Sequence, residues 1–351
     1  MLWVRLSLAS GLSIQMDKLW FFAAAVLTSC TLTGFLRRYA LARSLIDIPN
    51  ARSSHSLPTP RGGGVAIVIT FLGALVVAFC SGELPYDTSV GLLVAGGIVA
   101  VVGFLDDHGH IAARWRLLVH FLCAGLGLWC IGGVGPLAIG PLVIEPSWMR
   151  NALGVLFLVW MINLYNFMDG IDGLASVEAL TSCLSIFFLL FLGDSQLSGL
   201  APLLLAASAL GFLIWNFPRA KIFMGDAGSG FLGLALGFLA IQSSWQDPVY
   251  FWAWCILLGV FVVDASYTLI SRLLRGEKVY EAHRSHAYQY ASRSVGAHFP
   301  VTVTICLINL AWLLPIAAAV VLHRLDAVLG VVIAYVPLIW LAVYFKAGTR
   351  D

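Results

Sequence analysis

Long apolar runs recur along nearly the whole chain, and they limit its fold more than any other feature. A helix needs about 20 mostly apolar residues to cross the hydrocarbon core of a bilayer. Eleven stretches are candidates: 19–36, 62–80, 89–105, 117–135, 152–168, 174–193, 199–217, 228–244, 249–271, 300–322 and 327–345. Only 11% of the 351 residues are charged and 60% are hydrophobic, whereas about 25% of a soluble domain is charged. The expectation is an all-α integral membrane protein, a polytopic bundle of about eleven transmembrane helices forming one domain over 1–351. The net charge of +2 is too small to suggest nucleic acid as a partner.

Basic residues orient the bundle. The segments 37–61, 106–116, 169–173, 218–227, 272–299 and 346–351 fall on one side and carry 16 of the 20 Lys and Arg residues. Cytoplasmic loops carry the excess of Lys and Arg. This side is therefore expected in the cytoplasm, with the N-terminus outside and the C-terminus inside. On the outer side, Gly-Pro within 136–150 predicts a small hairpin. The seven cysteines lie in apolar segments without a Cys-x-x-Cys pair, so neither a zinc site nor a disulfide framework is indicated. Met16-Asp-Lys-Leu-Trp reads as an alternative start, with 1–15 an extension.

Polar groups break the apolar pattern on the expected cytoplasmic side. Asn163, Asn166, Asp169 and Asp172 follow one another at intervals of three at the end of the fifth run. On a helix this spacing stacks them along one side. Asp106-Asp107 ends the third run and is either a polar helix terminus or a pair of working carboxylates. Phe223-Met-Gly225-Asp226-Ala-Gly228-Ser229-Gly230 surrounds one acid with glycines just before a span, where free helix N–H groups suit phosphate. Asp47-Ile-Pro-Asn50-Ala-Arg52 and Pro60-Arg61-Gly-Gly-Gly64 combine fixed turns with arginines that match phosphate geometry. Asp264 is an isolated acid in an apolar run, read equally as a functional group or as the partner of an Arg or Asn on a neighbouring helix. In His283-Arg284-Ser285-His286 the spacing can bring both imidazoles to one side of a helical turn. Hard carboxylate oxygens without cysteine ligands suit Mg²⁺ or, alternatively, Mn²⁺, which bridge substrate phosphates. Metal-assisted phosphoryl transfer to or from a membrane lipid is the reaction class that follows. The rival from another class is a transporter that uses the Asp residues as an ion relay.

The ordered set Asp47-x-Pro-Asn50, Pro-Arg61-Gly-Gly, Asp106-Asp107, Asn163-x-x-Asn166-x-x-Asp169-Gly-x-Asp172-Gly, Asn216-x-Pro218-x-x-Lys221-x-Phe-Met-Gly225-Asp226-x-Gly-Ser229 and His283-x-x-His286 resembles the polyprenyl-phosphate N-acetylhexosamine-1-phosphate transferase family. The resemblance runs from Asp47 to Tyr288. It implies a single transmembrane catalytic domain in the bacterial inner membrane, with its active site on the cytoplasmic face. It implies transfer of a sugar 1-phosphate from a UDP-N-acetylaminosugar to undecaprenyl phosphate, with release of UMP, as the first step of O-antigen or related envelope polysaccharide synthesis. By the same resemblance Asp226 is the main Mg²⁺ ligand, with Asp106 beside it. Asp106 and Asp107 assist the lipid phosphate, and Asp172 and Asn216 meet the nucleoside. Asp169 supports the site, with Asn163, Asn166 and Ser229 as further substrate contacts. Asn50, Arg52, Arg61, Lys221 and Arg284 face the donor and its pyrophosphate, and His283 and His286 meet the pyrophosphate as catalytic residues. Two departures, His-Arg-Ser-His in the last loop and Arg52-Ser-Ser-His55 in the first, leave the donor sugar open and lean toward O-antigen-type donors. Membrane lipids and a second copy, as a homodimer, complete the expected partners.

Overall fold

The computed structural model describes residues 2–49, 54–55, 57–109, 111–140, 142–193, 195, 197–278 and 283–349. Helices α1 (Leu2–Ala42), α2 (Val65–Cys80), α3 (Tyr86–Gly91), α4 (Gly97–His108), α5 (Ala113–Cys130), α6 (Ser147–Met168), α7 (Leu174–Leu192) and α8 (Leu200–Asn216) come first. They are followed by α9 (Asp226–Ser243), α10 (Pro248–Leu257), α11 (Gly259–Leu274), α12 (Ala287–Val295), α13 (His298–Ile308), α14 (Leu314–Val321) and α15 (Ala327–Tyr344). Single π turns, Leu92–Gly96 and Asn309–Leu313, join α3 to α4 and α13 to α14 into longer rods. The only strands among the described residues form two short antiparallel ribbons. Strand β1 (Ile46–Asp47) pairs with β2 (Thr59–Pro60), and β3 (Ala138–Ile139) pairs with β4 (Leu142–Val143) where the outer hairpin is expected.

Every one of the eleven expected spans overlaps a helix, but fewer meet the demands of a full crossing. Six do so among the described residues: Leu19–Ala42, Tyr86–His108, Ser147–Met168, Leu174–Leu192, His298–Val321 and Ala327–Tyr344. The pair α10–α11, bent by 70°, makes a seventh if counted as one broken span. Helices α2 and α8 are apolar but only 16 and 17 residues long. Two arginines, Arg114 and Arg116, open α5, and α9 opens on Asp226. These four belong to the same bundle, and they bring polar ends to one of its faces.

Helix α9 sits at the centre. It is buried continuously from Ala227 to Ile241, as expected of a helix that is apolar all round. Its small residues let neighbouring backbones come close, the usual way helices associate in lipid. A Cβ on Gly233 would strike the carbonyl of Met161 on α6. Gly64, at the start of α2, lies so close to Gly228 that a Cβ on either would collide with the other's backbone. A Cβ on Gly103 of α4 would lie 2.5 Å from the backbone of Asp226. Helices α2 and α4 therefore meet the first turn of α9, and α6 packs against it about two turns further on.

A polar tie fastens the C-terminal helices to this core. Glu178 on α7 is fully buried, and its Oε2 accepts a 2.7 Å hydrogen bond from Asn309 Nδ2, which also donates to Thr181 Oγ1 at 2.8 Å. The π turn at Asn309–Leu313 carries that amide. An acid buried in a span needs such a partner.

The glycine contacts predict unequal tolerance. Gly103→Ala should lower the thermal unfolding midpoint of the detergent-solubilised protein, because overpacking against fixed backbone costs about 1–3 kcal/mol. Gly73→Ala on α2, where a Cβ meets nothing within 4 Å, should leave it unchanged. Equal midpoints for the two variants would mean that the α4–α9 contact is loose.

Candidate active site

The site is assembled by backbone pairing between distant loops. Phe223 N–H donates to Pro60 O at 2.8 Å, Gly63 N–H to Phe223 O at 2.9 Å, and Gly64 N–H to Met224 O at 2.8 Å. This zip aligns the Arg-Gly-Gly-Gly turn with the Met-Gly-Asp turn. Gly225 takes a φ of +79°, a conformation that L side chains avoid, and turns the chain into α9. Asp107, from the end of α4, then seals the helix start. Its Oδ1 accepts from Asp226 N–H at 3.1 Å and its Oδ2 from Ala227 N–H at 3.3 Å. Arg61 donates through Nη2 to the Asp107 carbonyl.

Asp226 projects from this first turn. Arg116 of α5 binds it at 2.7 Å and also forms a very short ion pair with Asp106. Asp106 additionally accepts from Ile111 N–H at 2.7 Å. Arg116 thus bridges two acids, one from each of two helices. On the other side, Asn166 donates to Ser229 Oγ at 3.1 Å, linking α6 to α9. Asn216 holds the Asp169–Gly173 turn in place by accepting from Gly173 N–H at 2.8 Å and donating to Ile222 O at 3.0 Å.

These groups enclose a cavity of about 220 Å³, lined on its polar side by Asp47, Arg61, Asp107, Asn166, Asp169 and Asp226, with Asn216, Ser229 and Gln289 alongside. Ser54, His55 and Phe223 are shared with a wider groove of about 960 Å³. The groove has a different character. Arg219, Lys221, Arg293 and His298 make it basic, Asp172 is its acid, and the rings of Phe217 and Phe299 stack in its wall at 5.3 Å and 17°. An acidic pocket thus opens onto a basic, aromatic groove. A separate cavity of about 350 Å³ at the opposite end of the bundle has Glu83 as its one charged lining residue and no basic group.

Crowding of acids shifts their protonation. Burial, together with the nearby charges of Asp226, Asp107 and Asp172, pushes Asp169 well above the usual carboxylate range. The shift favours its protonated form, which can donate a hydrogen bond. Burial and the neighbouring Asp106 and Asp107 push Asp226 up to about 7, opposed by Asn166 and Arg116. About a third of its side chain, 32%, stays exposed, so it can meet a ligand.

Among the described residues, no three His, Cys, Asp or Glu side chains are arranged as a ready metal cage. The donor set still fits Mg²⁺. This ion takes one or two carboxylates and completes its shell with water and substrate phosphates. Asp226 and Asp106, now bridged by a guanidinium, are oxygen donors already gathered around positive charge.

The structure unites some sequence expectations and separates others. Arg61, Asp107, Asn166, Asp169, Asn216, Asp226 and Ser229 share the acidic cavity, while Asp172 and Lys221 line the groove. Asp106 lines neither cavity and reaches Asp226 through Arg116. Asn163 turns away, donating to Val159 O at 2.7 Å beside His120. His283, His286 and Arg284 line neither cavity. The two imidazoles do come together, with ring centres 5.0 Å apart, but not on a helical turn: His286 is the extended residue that caps α12 just before its start. Its Nδ1 lies 3.2 Å from Asp264, whose oxygens also accept from Ala287 N–H at 2.9 Å and Tyr288 N–H at 3.0 Å. Asp264 thus finds its partners in the start of α12 and in His286, rather than in an Arg or Asn of another helix. Burial, then His286 and Arg272, take His283 down to about 3, leaving it neutral. Asn50 and Arg52 lie outside the described residues. Arg116, Gln289 and His298 were not singled out by the sequence, and His55 entered only as part of the Arg52-Ser-Ser-His55 departure. Only Arg116 had a signal there, as a basic residue opening the helix after an acidic pair.

Glycosyl transferase family 4 matches residues 89–244, which include Asp106, Asp107, the Asn163–Gly173 run and Asp226. The chain is 30% identical over 272 residues to a probable undecaprenyl-phosphate N-acetylglucosaminyl 1-phosphate transferase of Bacillus subtilis (strain 168), covering 76% of this chain and 75% of that one. It is 34% identical over 240 residues to the decaprenyl-phosphate N-acetylglucosaminephosphotransferase of Mycolicibacterium smegmatis, covering 61% of this chain and 57% of that relative. A phospho-N-acetylmuramoyl-pentapeptide-transferase of Streptococcus thermophilus is 27% identical over 71% of this chain and 77% of its own. The chain belongs to the polyprenyl-phosphate N-acetylhexosamine-1-phosphate transferase family.

Proposed function

We propose that this protein transfers a sugar 1-phosphate from a UDP-N-acetylaminosugar to undecaprenyl phosphate and so starts a cell-envelope polysaccharide such as O-antigen. The observation that carries the proposal is the acidic cavity around Asp226 opening directly onto the basic groove with its stacked Phe217 and Phe299. A nucleotide sugar needs both, a positive aromatic slot for its nucleotide and a centre where phosphorus can be attacked. An oxygen of the lipid phosphate forms a bond to the β-phosphorus. The bond from that phosphorus to the bridging oxygen breaks, and UMP leaves with the oxygen.

The chain's own residues mostly position and neutralise. Arg61 holds the backbone of Asp107, Asp107 holds the first turn of α9, and that turn aims Asp226. Burial and the neighbouring acids favour the protonated form of Asp169, and in that form it can donate to an anionic oxygen instead of repelling it. Mg²⁺, with Mn²⁺ as the substitute, would be held by Asp226 with Asp106 beside it and would withdraw charge from the phosphates. The 16:4 split of basic residues supports a cytoplasmic face for this end of the bundle, an inner-membrane location, and eleven crossings with the N-terminus outside. A transporter would hold its acids near the middle of the membrane. Here they gather at helix ends, and the acid buried within α7, Glu178, is bonded to Asn309.

Three outcomes are expected. Purified protein with Mg²⁺, undecaprenyl phosphate and a panel of UDP-N-acetylsugars should release UMP with at least one donor; a folded protein that releases none with any donor would sink the proposal. Asp226→Asn should cut turnover by roughly 100-fold or more, the scale of losing a main electrostatic contact. Near-normal turnover would remove Asp226 as the metal ligand. Because Asp226 is protonated below about 7, activity at low Mg²⁺ should fall as pH drops through that value. Added Mg²⁺ competes with the proton and should move this acid limb to lower pH. An acid limb insensitive to Mg²⁺ would assign the titration to another group.

A further inference from the structure

We propose that His298 is a positioning residue of the donor groove, fastening Ser54 at its rim to Asp172 in its wall. The inference rests on the transferase reading above and assigns a role to a residue outside the motifs.

The ring is used at both ends. Its Nε2 lies 3.0 Å from the carbonyl oxygen of Ser54, and its Nδ1 lies 3.2 Å from Asp172 Oδ2 and 3.4 Å from Asp172 N. A carbonyl can only accept, so Nε2 carries a proton. Nδ1 then accepts from the Asp172 amide when the ring is neutral, and donates to the carboxylate when the ring is charged. The Ser54 bond is kept in either state. Thr302, one turn further along α13, donates to the Asp172 carbonyl at 2.8 Å. One face of α13 therefore grips Asp172 by side chain and backbone together. The next residue after His298 is Phe299, which stacks on Phe217.

The residues so tied are wall residues. Asp172 and Ser54 both line the groove, and Ser54, with its neighbour His55, also lines the acidic cavity. The latch therefore sits where the two cavities join. Among the described residues it forms no hydrogen bond or ion pair with Asp226, Asp107 or Arg116. Its loss would loosen the surface that meets the nucleotide and leave the reacting centre in place. The chain brings these groups together across 126 residues from Asp172 and 244 from Ser54, so no local pattern could announce them.

The test is a split of kinetic constants in UMP release from UDP-N-acetylglucosamine. In His298→Ala, which loses both bonds, KM for the donor should rise about ten-fold. The kcat, the KM for undecaprenyl phosphate and the thermal midpoint in detergent should stay near wild type. His298→Gln, whose amide can still donate to Ser54 O, should recover part of the donor affinity. An unchanged donor KM in His298→Ala overturns the latch, as does a joint shift of both KM values with the midpoint. If wild-type protein releases no UMP, the transferase reading fails instead. Calorimetric binding of UDP then decides the latch, and equal affinity in wild type and His298→Ala overturns it.

Discussion

The site depends on one carboxylate used as a helix cap. Both oxygens of Asp107 are committed to the first N–H groups of α9. A negative group there offsets the positive helix end, by up to about 2 kcal/mol when partly buried. The cap fixes the position of Asp226, since the bonded amides are those of Asp226 itself and the next residue. It also explains the glycines on either side. Gly103 lies one turn before Asp107, where α4 must pass against the Asp226 backbone, and a Cβ on Gly225 would collide with the Asp107 carboxylate. Remove any one of these and the acid that faces the ligand is aimed elsewhere.

Around this fixed point the charges only just balance. Four acids, Asp106, Asp107, Asp169 and Asp226, crowd a small volume, and Arg61 and Arg116 are the cations bonded within it. The deficit shows in the upward shifts of Asp169 and Asp226. Such a centre gains from an added cation and from an anionic substrate that brings one. The adjoining groove has the opposite balance, with Arg219, Lys221, Arg293 and His298 against Asp172. A phosphate-rich ligand bridging the two cavities would relieve both imbalances at once.

Much of this was legible in the sequence where the signal is local. Apolar length located the helices, and the grouping of acids at one set of helix ends located the site. The Asn163 to Gly173 run shows the limit. A spacing of three aligned all four polar residues on paper, yet Asn163 bonds to its own helix, Asn166 to Ser229, and Asp169 and Asp172 enter different cavities. The helix ends at Met168, so helical periodicity stops applying midway through the motif. The His283 and His286 rings do meet, but the residues between them are not helical, so a helical spacing is not what brings them together. Arg116 and His298 were invisible as partners because their contacts are long-range and set by how helices pack.

The segment after α11 makes the same point about positioning at a distance. Asp264 caps α12 as Asp107 caps α9, with both oxygens on successive backbone N–H groups. The capped helix then reaches back to the acidic site. Tyr288 donates to Phe167 O at 2.9 Å and fills the space beside Gly170, and Gln289 lines the cavity with Asp169. Gly170 stands in the Asp-Gly motif because a side chain there would meet the Tyr288 hydroxyl. His286 is drawn into this arrangement through Asp264 and lies buried, so its contribution runs through the placement of α12 rather than through contact with either cavity. Two acids at two helix starts thus carry the geometry from both sides.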